Sequence, residues 1–165
     1  MLPKLKRILH YTDLSDQACM TFRHVLGIAQ TCKASITLLH TFEIKNENDK
    51  LMGKHYPLIS PQSQNDNNKD KNVAQLRNEL QQRLERFYAK ELKNASEARD
   101  GFEIELVVQE GPPAQTILSQ AKYYKSDIII LGTYGYSAFH DTSIGSIAHK
   151  VAQISPIPVL IVPVR

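Results

Sequence analysis

The sequence predicts an α/β fold: a single domain with an open parallel sheet covered by helices on both faces. Three observations predict it. Short runs of β-branched and apolar residues take turns with amphipathic stretches of helical spacing, five strands alternating with four helices along the chain. The stretch "SDIIILGT", residues 126–133, is apolar without alternation, which suits a strand buried on both faces. A length of 165 residues with 42% apolar content matches one core, because a chain of this size buries about 70% of its unfolded surface.

Each element has its own signal. "LKRILHYT" (5–12) is the first strand, and "DLSDQA" (13–18) follows it with turn chemistry that makes Ser15 the helix cap and puts Asp16 in the first turn. Ala18, Phe22, Val25, Leu26 and Ala29 then recur at helical spacing to about Cys32. "ASITLLHTF" (34–42) is the second strand. The polar segment 43–72 is rich in Asn, Asp, Lys and Gln, and a loop of that size in a compact domain is either a mobile insertion or a lid.

Val73, Leu76, Leu80, Leu84, Phe87 and Glu91 trace the stripe of a second helix, flanked by Tyr88 and Leu92 and stopped at Asp100-Gly101. "FEIELVVQ" (102–109) is the third strand. Gly111-Pro112-Pro113 opens a third helix, since proline lacks the N–H that a first turn leaves unused; Ile117, Leu118 and Ala121 form its buried face. After the fourth strand, a helix from Gly145-Ser146 carries Ile147, Ala148, Val151 and Ile154, and "IPVLIVPV" (157–164) is the fifth strand.

Charge and cysteine content narrow the function. The formal charge of +3 arises from 20 basic and 17 acidic residues spread along the chain, without the basic stripe of a nucleic-acid surface. A small anion is the compatible partner. The first 20 residues fit neither a signal peptide nor a spanning helix, so the expectation is a soluble cytoplasmic protein with no membrane contact. Cys19 and Cys32 on one helix would lie about 20 Å apart at about 1.5 Å per residue, too far for a disulfide. The six histidines show no metal-binding spacing, and Ser137 in "GYSAF" is not a nucleophile elbow.

Ligands of an open parallel sheet sit at the carboxyl ends of its strands, which directs attention to Asp13, to His40–Phe42, to Gln109–Gly111 and to the loop after the fourth strand. That loop holds Gly132, Gly135 and Gly145, three of the seven glycines in the chain. Either they shape turns, or their amides and the N-terminus of the helix at Gly145-Ser146 approach an anion such as phosphate. Asp13 either accepts hydrogen bonds from a ribose or an adenine amino group, or caps the adjacent turn.

Four stretches, "ILHYTDLSDQA", "GPPAQTIL", "DIIILGTYGYS" and "IGSIAHKVAQISPIPVLIVP", resemble the universal stress protein family, and the likeness spans the chain apart from the 43–72 insertion. The most specific element is the spacing of its nucleotide-binding branch: Gly132, two residues, Gly135, nine residues, then Gly145 and Ser146. The resemblance implies strand order 3-2-1-4-5 and an ATP pocket between the ends of the first and fourth strands. In it Asp13 contacts adenosine and the main chain around Leu39 and His40 flanks adenine. Gly132 and Gly135 line ribose and phosphates, Gly145 and Ser146 hold phosphate, and the last strand pairs across a homodimer axis.

Tyr134 and Tyr136 stand where the family commonly has basic residues, which weakens the grip on terminal phosphates unless His140, His149 or Lys150 compensates. ATP is the expected ligand, with ADP or AMP as alternatives and Mg2+ as a possible companion of the phosphates. No side chain is placed as a base for an attacking water, so at most slow hydrolysis is expected. The implied role is a stress-response regulator that uses nucleotide occupancy as a signal; the alternatives are a dimeric interaction module without nucleotide and a slow ATP hydrolase.

Overall fold

A computed structural model describes residues 2–44, 66–95, 103–133 and 144–164. The strands are β1 (Arg7–Tyr11), β2 (Ser35–Phe42), β3 (Ile104–Glu110), β4 (Ile128–Gly132) and β5 (Val159–Val162). The helices are α1 (Ala18–Cys32), α2 (Asp66–Asn94), α3 (Pro113–Tyr123) and α4 (Ser146–Ile154). All strand pairs are parallel, in the order β3-β2-β1-β4-β5. The expected alternation and sheet order are therefore both present. The order reverses at β1, which pairs with β2 on one side and β4 on the other.

The period of two in each strand divides the core into two layers. Ile8, Ile36, Leu38 and Ile130 pack with Phe22 and Leu26 of α1 and Leu84 of α2. Leu9, Leu39, Ile129 and Leu131 pack with Ile117 of α3 and Val151 of α4. Thus Ile128 to Leu131 is apolar throughout because successive side chains enter opposite layers, both of them dry.

Several local expectations give way to tertiary bonding. Ser15 does not cap α1; its N–H and hydroxyl both donate to Asp13 Oδ1, at 3.0 and 2.6 Å, and the helix begins at Ala18, with no acidic residue in its first turn. Helix α2 begins at Asp66, so residues 66–72 of the segment read as a loop are helical, and it ends at Asn94 rather than at Asp100-Gly101. Ile154, the last residue of α4, is exposed. Glu91, on the buried stripe of α2, is 2% exposed and takes the Arg23 Nε–H at 3.3 Å. The pairing offsets the cost of burying its carboxylate.

Candidate functional site

The strand reversal places the carboxyl ends of β1 and β4 side by side, the position at which open α/β sheets hold ligands. The chain beyond β1 is tightly specified. Thr12 N–H donates to Leu39 O at 2.9 Å, extending the β1–β2 ladder by one residue. Leu14 then takes φ +62 and donates its N–H to Thr12 Oγ1 at 3.1 Å. A leucine in the left-handed region is uncommon and strained. Its cost is borne where the chain must leave the sheet abruptly, with Asp13 at the corner.

Two buried histidines hold this corner from the α1/α2 side. His10 Nδ1 lies 2.9 Å from Ile130 O, and His40 Nδ1 lies 2.8 Å from Thr12 O. A carbonyl only accepts, so each Nδ1 carries the proton. Burial pushes His10 down to about 4 and lowers His40 as well, while the Asp13 charge pulls both back up in part. Both rings are neutral at pH 7. They act as fixed crosslinks: His10 ties β1 to β4, and His40 holds the peptide that precedes Asp13.

Asp13 satisfies one carboxylate oxygen within its own turn, through Ser15. The other, Oδ2, is buried and has no hydrogen-bond partner among the described residues. An unpaired buried carboxylate oxygen costs more than about 1–3 kcal/mol, which a ligand donating an N–H or O–H would recover. The turn-capping reading of Asp13 therefore holds for Oδ1, and Oδ2 is left available as an acceptor. Thr41 Oγ1, near the carboxyl end of β2, is likewise buried without a partner among the described residues. Sequence reasoning missed Thr41 as an individual; a polar β-branched residue next to last in a buried strand was the available signal.

The β4 end is organised by Thr133. Its N–H donates to Val162 O at 3.0 Å, its Oγ1 accepts from Val164 N–H at 2.9 Å, and its carbonyl accepts from Gly145 N–H at 2.7 Å. These bonds join the ends of β4 and β5 to the start of α4. The amide of Gly145, expected to meet phosphate, is thus committed to Thr133. Gly145 is the N-cap with φ −55 and ψ 150, and no side chain caps the helix. The first-turn N–H groups of Ser146 and its successors remain free of intrahelical partners, and Ser146 is exposed. That terminus is worth up to ~2 kcal/mol to an anion in a favourable, partly buried setting.

Of the expected site residues, Asp13 and Gly132 stand on adjoining strand ends, with Gly145 and Ser146 tied to them through Thr133. Leu39 is fully buried in the α3/α4 layer with its carbonyl engaged by Thr12, and the His40 ring faces the opposite layer beneath Thr12. Gly135, Tyr134, Tyr136, Ser137 and His140 lie outside the described residues. Among the described residues no group of three His, Cys, Asp or Glu side chains is arranged to hold a metal, and no helix is long and apolar enough to cross a membrane.

Comparison with known proteins converges on one family. The sequence pattern of the universal stress protein family matches residues 4–163. Universal stress protein MJ0577 of Methanocaldococcus jannaschii is 27% identical over 162 residues, covering 95% of this chain and 94% of that protein. Universal stress protein YxiE of Bacillus subtilis is 37% identical over 86 residues, 51% of this chain and 58% of YxiE. Among solved structures, that of MJ0577 superposes with TM-score 0.70 at 23% identity, covering 99% of each chain. A universal stress protein in complex with cAMP follows the same fold, with TM-score 0.59 at 18% identity and 98% of each chain covered. So does one from Archaeoglobus fulgidus in complex with dAMP, with TM-score 0.53 at 17% identity and 98% of each chain covered.

Proposed function

The chain belongs to the universal stress protein family, and from that premise we propose that it binds an adenine nucleotide, ATP first with ADP or AMP as alternatives, in the crevice between the ends of β1 and β4. The observation that carries this reading is the buried Asp13 Oδ2 at the strand reversal, which has no partner among the described residues. It is an acceptor suited to an adenine amino group or a ribose hydroxyl. The uncapped N-terminus of α4 beside β4 is suited to the phosphates. The complexes of two relatives with cAMP and dAMP support the ligand class.

In this reading Asp13 selects the nucleoside, the β2 main chain near Leu39 and His40 borders the base, and Gly132 and Gly135 leave room for ribose and phosphates. Because the Gly145 amide is already bonded, Gly145 contributes space and Ser146 contributes the donors. Mg2+, where bound, would offset phosphate charge; among the described residues no group of three His, Cys, Asp or Glu side chains is arranged to hold it. Occupancy acts as a regulatory state of a cytoplasmic homodimer joined through β5, an edge strand whose Leu160 is exposed. Hydrolysis is slow or absent.

Calorimetric titration of nucleotide-free protein with ATP, ADP and AMP, with and without Mg2+, tests the reading. Saturable binding at one site per chain is expected. Heats indistinguishable from dilution for all three would overturn it and leave the dimeric interaction module.

A further inference from the structure

At the amino ends of β4 and β5, the side of the sheet away from Asp13, the last turn of α3 and the α4–β5 connection enclose a pocket of about 570 Å3. This falls within the range of about 300–1,000 Å3 typical of small-molecule sites. Leu118, Ala121, Pro156 and Ile157 make its walls mostly carbon. The polar lining is cationic or neutral: Lys122 and Lys125, both exposed, with Ser119 and Ser126, and no carboxylate.

Ser126 is 7% exposed, and its hydroxyl has no hydrogen-bond partner among the described residues. Tyr124, Lys125 and Ser126 N–H donate to the carbonyls of Gln120, Lys122 and Ala121 at 2.9, 3.1 and 2.8 Å, closing the end of α3. Those carbonyls are occupied, which also reduces the negative field an anion would meet at a helix C-terminus. Asp127, the nearest acidic residue in sequence, is bound by the Lys6 and Arg7 amides at 2.8 and 2.9 Å and faces Arg7 at 3.6 Å.

We propose that this pocket binds a medium-chain monocarboxylate, with its hydrocarbon against Leu118, Ala121, Pro156 and Ile157 and its carboxylate met by Lys122, Lys125 and the Ser126 hydroxyl. The carbon walls suit an apolar body, and the unpaired donor and two exposed ammonium groups suit an acceptor carrying negative charge. A neutral lipid would leave the lysines unused, and inorganic phosphate would leave the walls empty. The site is separate from the nucleotide crevice and does not depend on it.

Octanoate and octanol are the probes, titrated into uniformly 15N-labelled full-length protein and followed by amide chemical shifts. Octanoate is expected to produce saturable shifts centred on Leu118, Ser126 and Ile157, with affinity at least about tenfold above that of octanol. The double variant Lys122→Gln/Lys125→Gln should abolish that preference while its free spectrum stays native elsewhere. Ser126→Ala should weaken octanoate by about 3- to 10-fold, the value of one hydrogen bond. Shifts that fail to saturate or scatter over the surface, equal affinity for octanol, or an unchanged preference in the lysine variant would each overturn the proposal.

Discussion

The His40 Nδ1–H donates to the Thr12 carbonyl at 2.8 Å, so a buried ring on β2 holds the peptide that precedes Asp13. With His10 bonded to Ile130 O at 2.9 Å, the corner at the strand reversal is pinned to both neighbouring strands by neutral imidazoles. The candidate site is positioned by groups that do not themselves need to touch a ligand.

Neutral buried histidines make stability fall in acid. His10 is lowered from 6.5 to about 4, so the unfolded chain takes up a proton first as the pH drops. Its contribution is intact above pH 6.5 and is lost progressively as the pH falls towards 4. At about 1.4 kcal/mol per unit, the loss approaches 3 kcal/mol on an order-of-magnitude basis. His40 is lowered too and acts in the same direction. Urea midpoints measured from pH 7.5 to 4 should decline for the wild type and decline less steeply for His10→Asn. Parallel slopes for the two proteins would show that His10 does not titrate as its burial requires.

Asp13→Ala removes the unpaired Oδ2 together with the acceptor for Ser15. Loss of one charged hydrogen bond is worth about 1.5–3 kcal/mol, so affinity for ATP should fall roughly 10- to 150-fold. The fold should persist, because Asp13 is only half-buried and its described side-chain bonds stay within its own turn. His40→Leu should reduce affinity less, through displacement of Thr12 and Asp13. Calorimetry at pH 7.5, paired with urea denaturation of each variant, separates these effects from unfolding; equal ATP affinity in Asp13→Ala and wild type would place the base elsewhere.

Two glycines make opposite demands. Gly111 has φ +140, and a Cβ there would lie 2.7 Å from Thr116 Oγ1, so Gly111→Ala should destabilise by about 1–3 kcal/mol. Thr116→Ala in the same chain should restore only the part due to contact. Gly145 has φ −55, open to any residue, so Gly145→Ala should shift the urea midpoint little. Gly145→Trp should keep a native fold and lose ATP binding. If Gly145→Trp binds ATP as tightly as wild type, the phosphates do not lie at this helix start.

The alternation of strands and helices, the two-faced burial of "IIIL" and the apolar stripe of α2 were all legible in the chain. Each is a local periodicity that states which side of an element must be dry. Sheet order came with the family resemblance; alternation alone limits only the sheet type. What residue 13 does was not legible, because its environment comes from Leu39, His40 and Ile130, brought together across separations such as the 120 residues between His10 and Ile130. The same holds for the glycine loop. Spacing identified Gly145, but only the tertiary structure shows that its amide is already bonded to Thr133 O. Sequence by itself determined the layers, through hydrophobic period. Tertiary structure decided which polar atoms are spent and which are left over, because hydrogen-bond partners in a parallel sheet are set by crossovers that join distant segments.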